Sequence, residues 1–206
     1  MLRALLFLLV AAVGSHAEDP WLPRIARSLQ ASPGWKIELS WTVKPAAAPG
    51  EGRTTTGTLH LADSNRFRFA SAGLNSLCDG ATTWQHLPAT GQVLVQSVAR
   101  LDPALLPGTL LAQALRGSET SSRHERLAGK DAVRLELPVG KGAFARYVRA
   151  SLWARPADLR PLRLSLFDAQ GNETAWELTS WAKWKPEADA FRWTAPPGAE
   201  VVDLRD

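Results

Sequence analysis

The sequence contains one cysteine, Cys78, so no disulfide can close within the chain and packing alone must hold the core. It is poor in catalytic signals. Its four histidines fall to three, His60, His86 and His124, once the leader described below is removed. None stands at H-x-x-x-H or another metal-ligand spacing, which leaves surface or strand-edge positions and implies no metal. There is no G-x-S-x-G elbow, and Cys78 has the carboxylate of Asp79 beside it, which disfavours a thiolate. Cys78 therefore reads as a small hydrophobe at a strand end. Gly140-Lys141-Gly142 is too short for a phosphate loop and lies between strand patterns. Asp79, Glu136, Asp168 and Glu173 are carboxylates that a fold could pair. Three of them fall in or beside turns, where local hydrogen bonding already selects such residues. No catalytic residue and no cofactor is assigned, and no enzyme is expected. The basic residues form no block interleaved with aromatics, so nucleic acid is not an expected partner.

Long apolar runs are missing too, apart from the start. MLRALLFLLVAAVGSHA has a short positive region at Arg3, an apolar stretch from Ala4 to Val13 and a small-x-small site at Ser15-His16-Ala17. The stretch is shorter than the roughly 20 residues of a spanning helix. Residues 1–17 are therefore expected to be a cleaved secretory signal, and residues 18–206 one soluble, monomeric periplasmic domain. The formal charge of +4 becomes +3 when Arg3 leaves, a mild bias toward acidic partners such as lipid head groups. What the sequence has in excess is tryptophan: nine, against one tyrosine. An indole is a large apolar body with a single donor, suited to lining a broad apolar surface.

Asp19-Pro20 reads as a helix cap with proline in the first turn, and Trp21, Leu22, Ile25, Ala26 and Leu29 recur on one face until Ser32-Pro33-Gly34. The clearest strand follows. In WKIELSWTVK, Trp35, Ile37, Leu39, Trp41 and Val43 face one way and polar residues the other, which favours an antiparallel sheet wet on one side. Further strands are expected over 54–61, 66–70, 92–98, 132–137, 147–154, 162–167 and 173–181, with a last short one at Phe191-Arg192-Trp193. Asp79-Gly80 and Pro88 to Gly91 mark turns on either side of Trp84. Asp102-Pro103 opens a central helical stripe of Leu105, Leu106, Leu110, Leu111, Ala114 and Leu115, which Pro107 divides. Around nine or more antiparallel strands make a sheet that curls, and the helical stripes fit its concave face.

In order and spacing these segments resemble the LolA-like outer-membrane lipoprotein carriers. The matching residues are GTLHL with NRFRF (57–61, 65–69), the Asp79-Gly80 turn with Trp84, GQV (91–93), VRLELP (133–138), PLRLSLFDAQGNET (161–174) and FRWTAPPGAEVVD (191–203). The resemblance implies a mostly β fold with some α: a curved antiparallel sheet forming an incomplete half-barrel, with short helices as a lid over an apolar cavity. It implies acyl chains of lipoproteins, or other lipid, as cargo, accepted from an inner-membrane release complex and passed to an outer-membrane receptor. A diverged lipid-binding accessory or envelope sensor with the same fold is the alternative. On the apolar side of the strands, the expected lining is Trp35, Ile37, Leu39 and Trp41, then Leu59, Leu61, Phe67, Phe69 and Trp84. In the later strands it is Leu135, Leu152, Leu164, Leu166, Trp176 and Leu178. The expected lid residues are Leu22, Ile25 and Leu29 with Leu105, Leu106, Leu110 and Leu111.

Overall fold

A computed structural model describes residues 20–62, 66–99, 111, 114–141 and 144–205. The leader and the lid residues Leu105, Leu106 and Leu110 lie outside the described residues.

Among the described residues, helix α1 and twelve strands carry the fold. Helix α1 (Trp21–Gln30) buries Trp21, Leu22, Ile25 and Leu29, the stripe that the sequence spacing marks. Each such burial contributes roughly 1.5–3 kcal/mol. Its start differs from expectation: Pro20 occupies the cap position itself and offers no side-chain acceptor. The cap comes from far along the chain. The backbone N–H of Trp21 donates to Glu119 Oε1 at 2.9 Å, and that of Leu22 to the other carboxylate oxygen. A negative group at this end also suits the helix dipole.

The strands are β1 (Trp35–Lys44), β2 (Arg53–Leu61), β3 (Arg66–Ser71), β4 (Asn75–Asp79), β5 (Thr82–Leu87), β6 (Gln92–Ser97), β7 (Ser121–Leu127), β8 (Lys130–Leu137), β9 (Tyr147–Ala154), β10 (Pro161–Asp168), β11 (Glu173–Lys183) and β12 (Glu200–Asp203). They form one sheet in the order β12-β6-β5-β4-β3-β2-β1-β11-β10-β9-β8-β7. Two meanders thus meet where β1 pairs with β11, and the sheet stays open, a curved half-barrel with short helices. The sheet has one parallel pair, β12 against β6, where the sequence suggested only antiparallel pairing.

Turn chemistry fixes the hairpins. At β4–β5, Asp79 Oδ1 accepts the N–H of Ala81 and of Thr82, and Gly80 takes a φ of 108°. At β10–β11, Asp168 accepts the N–H of Gln170 and of Asn172. Gly57 in β2 is required for a different reason. A Cβ there would meet Ala70 O at 2.6 Å and the Phe69 ring at 2.7 Å, so the missing side chain is the space the ring fills.

Residues 191–193 form no strand. Beyond β11 the chain instead runs as an irregular segment over the sheet until β12 joins the far edge, held by Glu200 N–H to Gly91 O and Leu204 N–H to Val95 O.

Candidate functional site

Side-chain alternation and register define two faces. The face under α1, the inner face, carries a continuous apolar cluster. Trp35, Ile37 and Leu39 of β1 pair with Leu61, Leu59 and Gly57 of β2, and Leu59 and Leu61 pair with Phe69 and Phe67 of β3. In the other direction Leu39 and Trp41 pair with Leu178 and Trp176, Trp176 with Leu164, Leu164 with Leu152, and Leu152 with Leu135. Leu166 continues the same face. With Trp41 packed against its rim, this cluster gathers all of the expected lining residues except Trp84, together with Leu22, Ile25 and Leu29 of α1 and Leu111. Lid and lining residues are in contact as one core, and α1, with Leu111 and Ala114 of the helical stretch after it, covers the sheet.

Trp84 is the correction. It pairs with Leu77, which pairs with Arg68, on the opposite, outer face. There its ring stacks on Trp193 at 6.3 Å. The β5 residues turned inward are Thr83, which pairs with Cys78 and through it follows Phe67, and Gln85, which pairs with Ser76. Both are buried, and Gln85 Nε2 donates to Gln96 Oε1 at 3.0 Å. The inner face is therefore apolar from β8 across to β3 and mixed over β4–β6, where Ser76, Thr83, Gln85 and Gln96 face inward beside Cys78 and Leu94. Sequence reading also missed Val133, Leu137, Phe144, Tyr147, Ala150 and Ala154, which join the cluster. Leu137 and Val133 continue the alternation of Leu135, so a longer reading of β8 finds them.

Besides the Glu119 cap, further contacts hold α1 down. Trp35 Nε1 donates to Leu29 O at 2.8 Å. Arg160 donates to Ser28 Oγ at 3.1 Å while its guanidinium lies 4.0 Å from the centre of the Trp35 ring. Burial there lowers the pKa of Arg160. At the other end, Trp21 packs edge-on against His124 at 5.4 Å. Beside α1 runs an apolar cleft of about 340 Å³ between Ala26, Leu29, Pro33, Trp35, Leu61 and Leu115, with Arg116 at its lining.

The chemistry-bearing residues do not assemble. His60 sits on the outer face against Trp184, His86 pairs with Asn75 on β4, and His124 is on β7 at the opposite edge. Cys78 is buried in the inner cluster, on the face opposite His60. Glu136 is bound to Ser151 and Arg134, and Glu173 to Ser165 and Arg163. Among the described residues no group of His, Cys, Asp and Glu could hold a metal ion, and no helix is long and apolar enough to cross a membrane.

The outer face has clefts of its own, of about 700 and 820 Å³, under the segment between β11 and β12. Their linings include His60, Arg68, Glu187, Asp189 and Arg192, so they are polar where the inner face is not.

No known family model and no curated protein matches the sequence. Solved structures do match the architecture. An uncharacterized conserved protein from Thermus thermophilus is similar over 89% of this chain and 96% of its own, at 16% identity and a TM-score of 0.57. A DUF1329 family protein from Desulfovibrio piger is similar over 83% of this chain and 93% of its own, at 16% identity and a TM-score of 0.52. The LolA superfamily protein NE2245 from Nitrosomonas europaea aligns over 82% of this chain and 96% of its own, at 10% identity and a TM-score of 0.46. At such identities the likeness is one of fold. The first two share an open curved sheet of the kind the sequence led us to expect, a mostly β half-barrel with short helices.

Proposed function

We propose that this protein is a periplasmic carrier that shelters the acyl chains of lipoproteins against the inner face and ferries them from the inner to the outer membrane. The observation that carries the reading is the asymmetry of the inner face. An unbroken apolar surface spans β8 to β3, and the anchored helix α1, with Leu111 and Ala114, covers it. Each exposed methylene costs about 0.8 kcal/mol, so a long acyl chain carries on the order of 10 kcal/mol into water. A surface of Trp, Phe, Leu and Ile removes that cost without fixed polar contacts. In the closed form α1 fills the space of a chain, so loading lifts it from the sheet. The cleft beside Leu29 and Leu115 is where a chain first enters. Release requires only that α1 return, which replaces one apolar cover by another. No bond is made or broken. An inner-membrane release complex and an outer-membrane receptor are the partners that such a route requires.

Native mass spectrometry of the protein taken from its own cell envelope without detergent tests this. An acylated protein or peptide bound one to one is the expected result. A free lipid instead would make the protein a lipid-binding accessory of the envelope. If no lipid is retained and added acylated peptide does not bind, the reading is wrong. The variant Leu39→Asp, placing a charge in the centre of the face, should abolish binding, with circular dichroism confirming that the domain remains folded.

A further inference from the structure

We infer that the inner face is not uniformly apolar but holds a hydrogen-bond-donor subsite, the indole N–H groups of Trp41 and Trp176, for the carbonyl oxygen at the head of an acyl chain. The inference rests on the acyl-carrier reading and adds to it a recognised polar group.

Trp41 of β1 and Trp176 of β11 are directly paired at the seam between the two meanders. Their rings stack 6.3 Å apart at an interplanar angle of 14°. Trp176 is 2% exposed, and Trp41 packs against the same cluster. The Nε1 atoms of both are buried, and neither has an acceptor among the described residues. Buried indole donors elsewhere in the sheet are treated differently. Trp35 donates to Leu29 O, Trp181 to Pro161 O at 2.9 Å and Trp153 to Glu125 at 2.6 Å. Buried polar groups are paired in the large majority of cases, and a leucine or phenylalanine would fill the same space without leaving a donor behind.

An indole nitrogen donates only, so the missing partner is an acceptor. The nearest register neighbours, Leu164, Leu178 and Thr55, contribute no cation. A neutral carbonyl therefore fits the site better than a group that needs a counter-charge. The position suits a chain's head as well. Trp41 lies six residues along β1 from Trp35, where α1 docks, which is about 20 Å of extended strand. A chain laid along β1 with its methyl end under α1 brings its carbonyl toward the tryptophan pair. Esters, amides and free carboxylic acids all carry that oxygen.

The test uses the mature chain and four probes of equal length: lauric methyl ester, lauramide, lauric acid and the alkane. Wild-type protein should bind the carbonyl compounds more tightly than the alkane. Trp41→Phe and Trp176→Phe keep an aromatic ring and remove the N–H. Each should reduce the carbonyl-over-alkane preference by roughly two- to tenfold, the net worth of a neutral hydrogen bond. Using the ratio cancels the area lost with the smaller ring. In the wild type, the indole N–H resonances of Trp41 and Trp176 should shift with ester and stay in place with alkane, a readout that needs no variant. At neutral pH lauric acid is a carboxylate, so it should bind less tightly than the ester, and a preference for it over the ester would overturn the neutral-carbonyl assignment. Equal binding of ester and alkane, or an unchanged ratio in both variants, overturns the subsite while leaving the carrier intact. Failure of all four probes to bind overturns the carrier and the subsite together.

Discussion

The two meanders share one inner cluster and close their outer faces in different ways. On the β8–β11 side the sheet closes itself. Arg134 pairs with Glu136 and bonds Ser151, Arg163 reaches Glu173 and Glu177, and Trp153 lies under both guanidinium groups at 5.1 and 5.5 Å. On the β2–β6 side the outer face mixes polar residues such as His60 and Arg68 with an apolar patch of Leu77, Val93 and Val95, and it is closed by chain from elsewhere. Leu77, Val93 and Val95 are buried although none belongs to the inner cluster. Over this half pass Trp184 against His60, Phe191 under Arg66, and Trp193 on Trp84. A charged ladder is local and forms as the hairpins form. A strap is not: it requires the last twenty or so residues to return across the sheet, a loop whose closure entropy precedes any contact.

Removing the strap should therefore have the largest effect and should act on one half. A chain ending after Lys183 uncovers Leu77, Val93 and Val95, each worth roughly 1.5–3 kcal/mol, against a typical total stability of about 5–15 kcal/mol. Hydrogen exchange should show β4–β6 losing protection while β8–β10 keep theirs. Equal loss in both halves would mean that the meanders are one cooperative unit and that the distinction ends at geometry.

A smaller effect is expected from breaking the ladder. Arg163→Met removes the partner of Glu173 and Glu177 but leaves Glu173 with the Ser165 hydroxyl and with Lys44 at 3.7 Å. Side-chain exposures of 21% for Arg163 and 15% for Glu173 place this pair between surface and core. The loss should be about 1–3 kcal/mol, read from chemical denaturation. The double variant Arg163→Met with Glu173→Met should be less destabilised than the single, since the carboxylate then left without its cation is Glu177, which at 38% exposure stays in contact with water, and not the more buried Glu173.

This division also separates what was legible in the sequence from what was not. The inner face was legible because Trp35 to Trp41, Leu59 with Leu61, and Phe67 with Phe69 alternate without interruption, and period two survives any tertiary context. Trp84 was placed on the wrong face because its neighbours mislead: Leu77 and Cys78 are both buried, on opposite faces, and the inward residues of β5 are Thr83 and Gln85. Strand β7, Ser121 to Leu127, is an edge strand with charged residues on both sides and gives no alternation to read. The strap was illegible for a different reason. Tryptophans at 184 and 193 show no period, because their partners His60 and Trp84 lie more than a hundred residues earlier, and a separation of 98 residues likewise hid Glu119 as the cap of α1.

The gentlest perturbation, acid, should sharpen the comparison by acting on the two halves at different pH. Burial beneath the strap, with Lys36 and Arg68 nearby, lowers the pKa of His60 from its ordinary 6.5. In the unfolded chain the imidazole binds a proton at 6.5, and in the folded one it does not until lower pH. The stabilisation is therefore complete above 6.5 and declines as pH falls below it. On the ladder side, burial raises the pKa of Glu173, but the Ser165 hydroxyl, Arg163 and Lys44 outweigh it and hold the carboxyl below 4.5. Glu125 is lowered too, first by the Trp153 indole. Their contribution is present above 4.5 and is lost only as pH falls through the depressed values. Amide protection followed from neutral pH downward should thus fall first in β2 and β3 beside His60 and only later in β9–β11. His60→Gln should remove the earlier step and leave the later one in place. If both halves loosen together near pH 4, His60 does not report on the strap, and the two outer faces respond to protons as one.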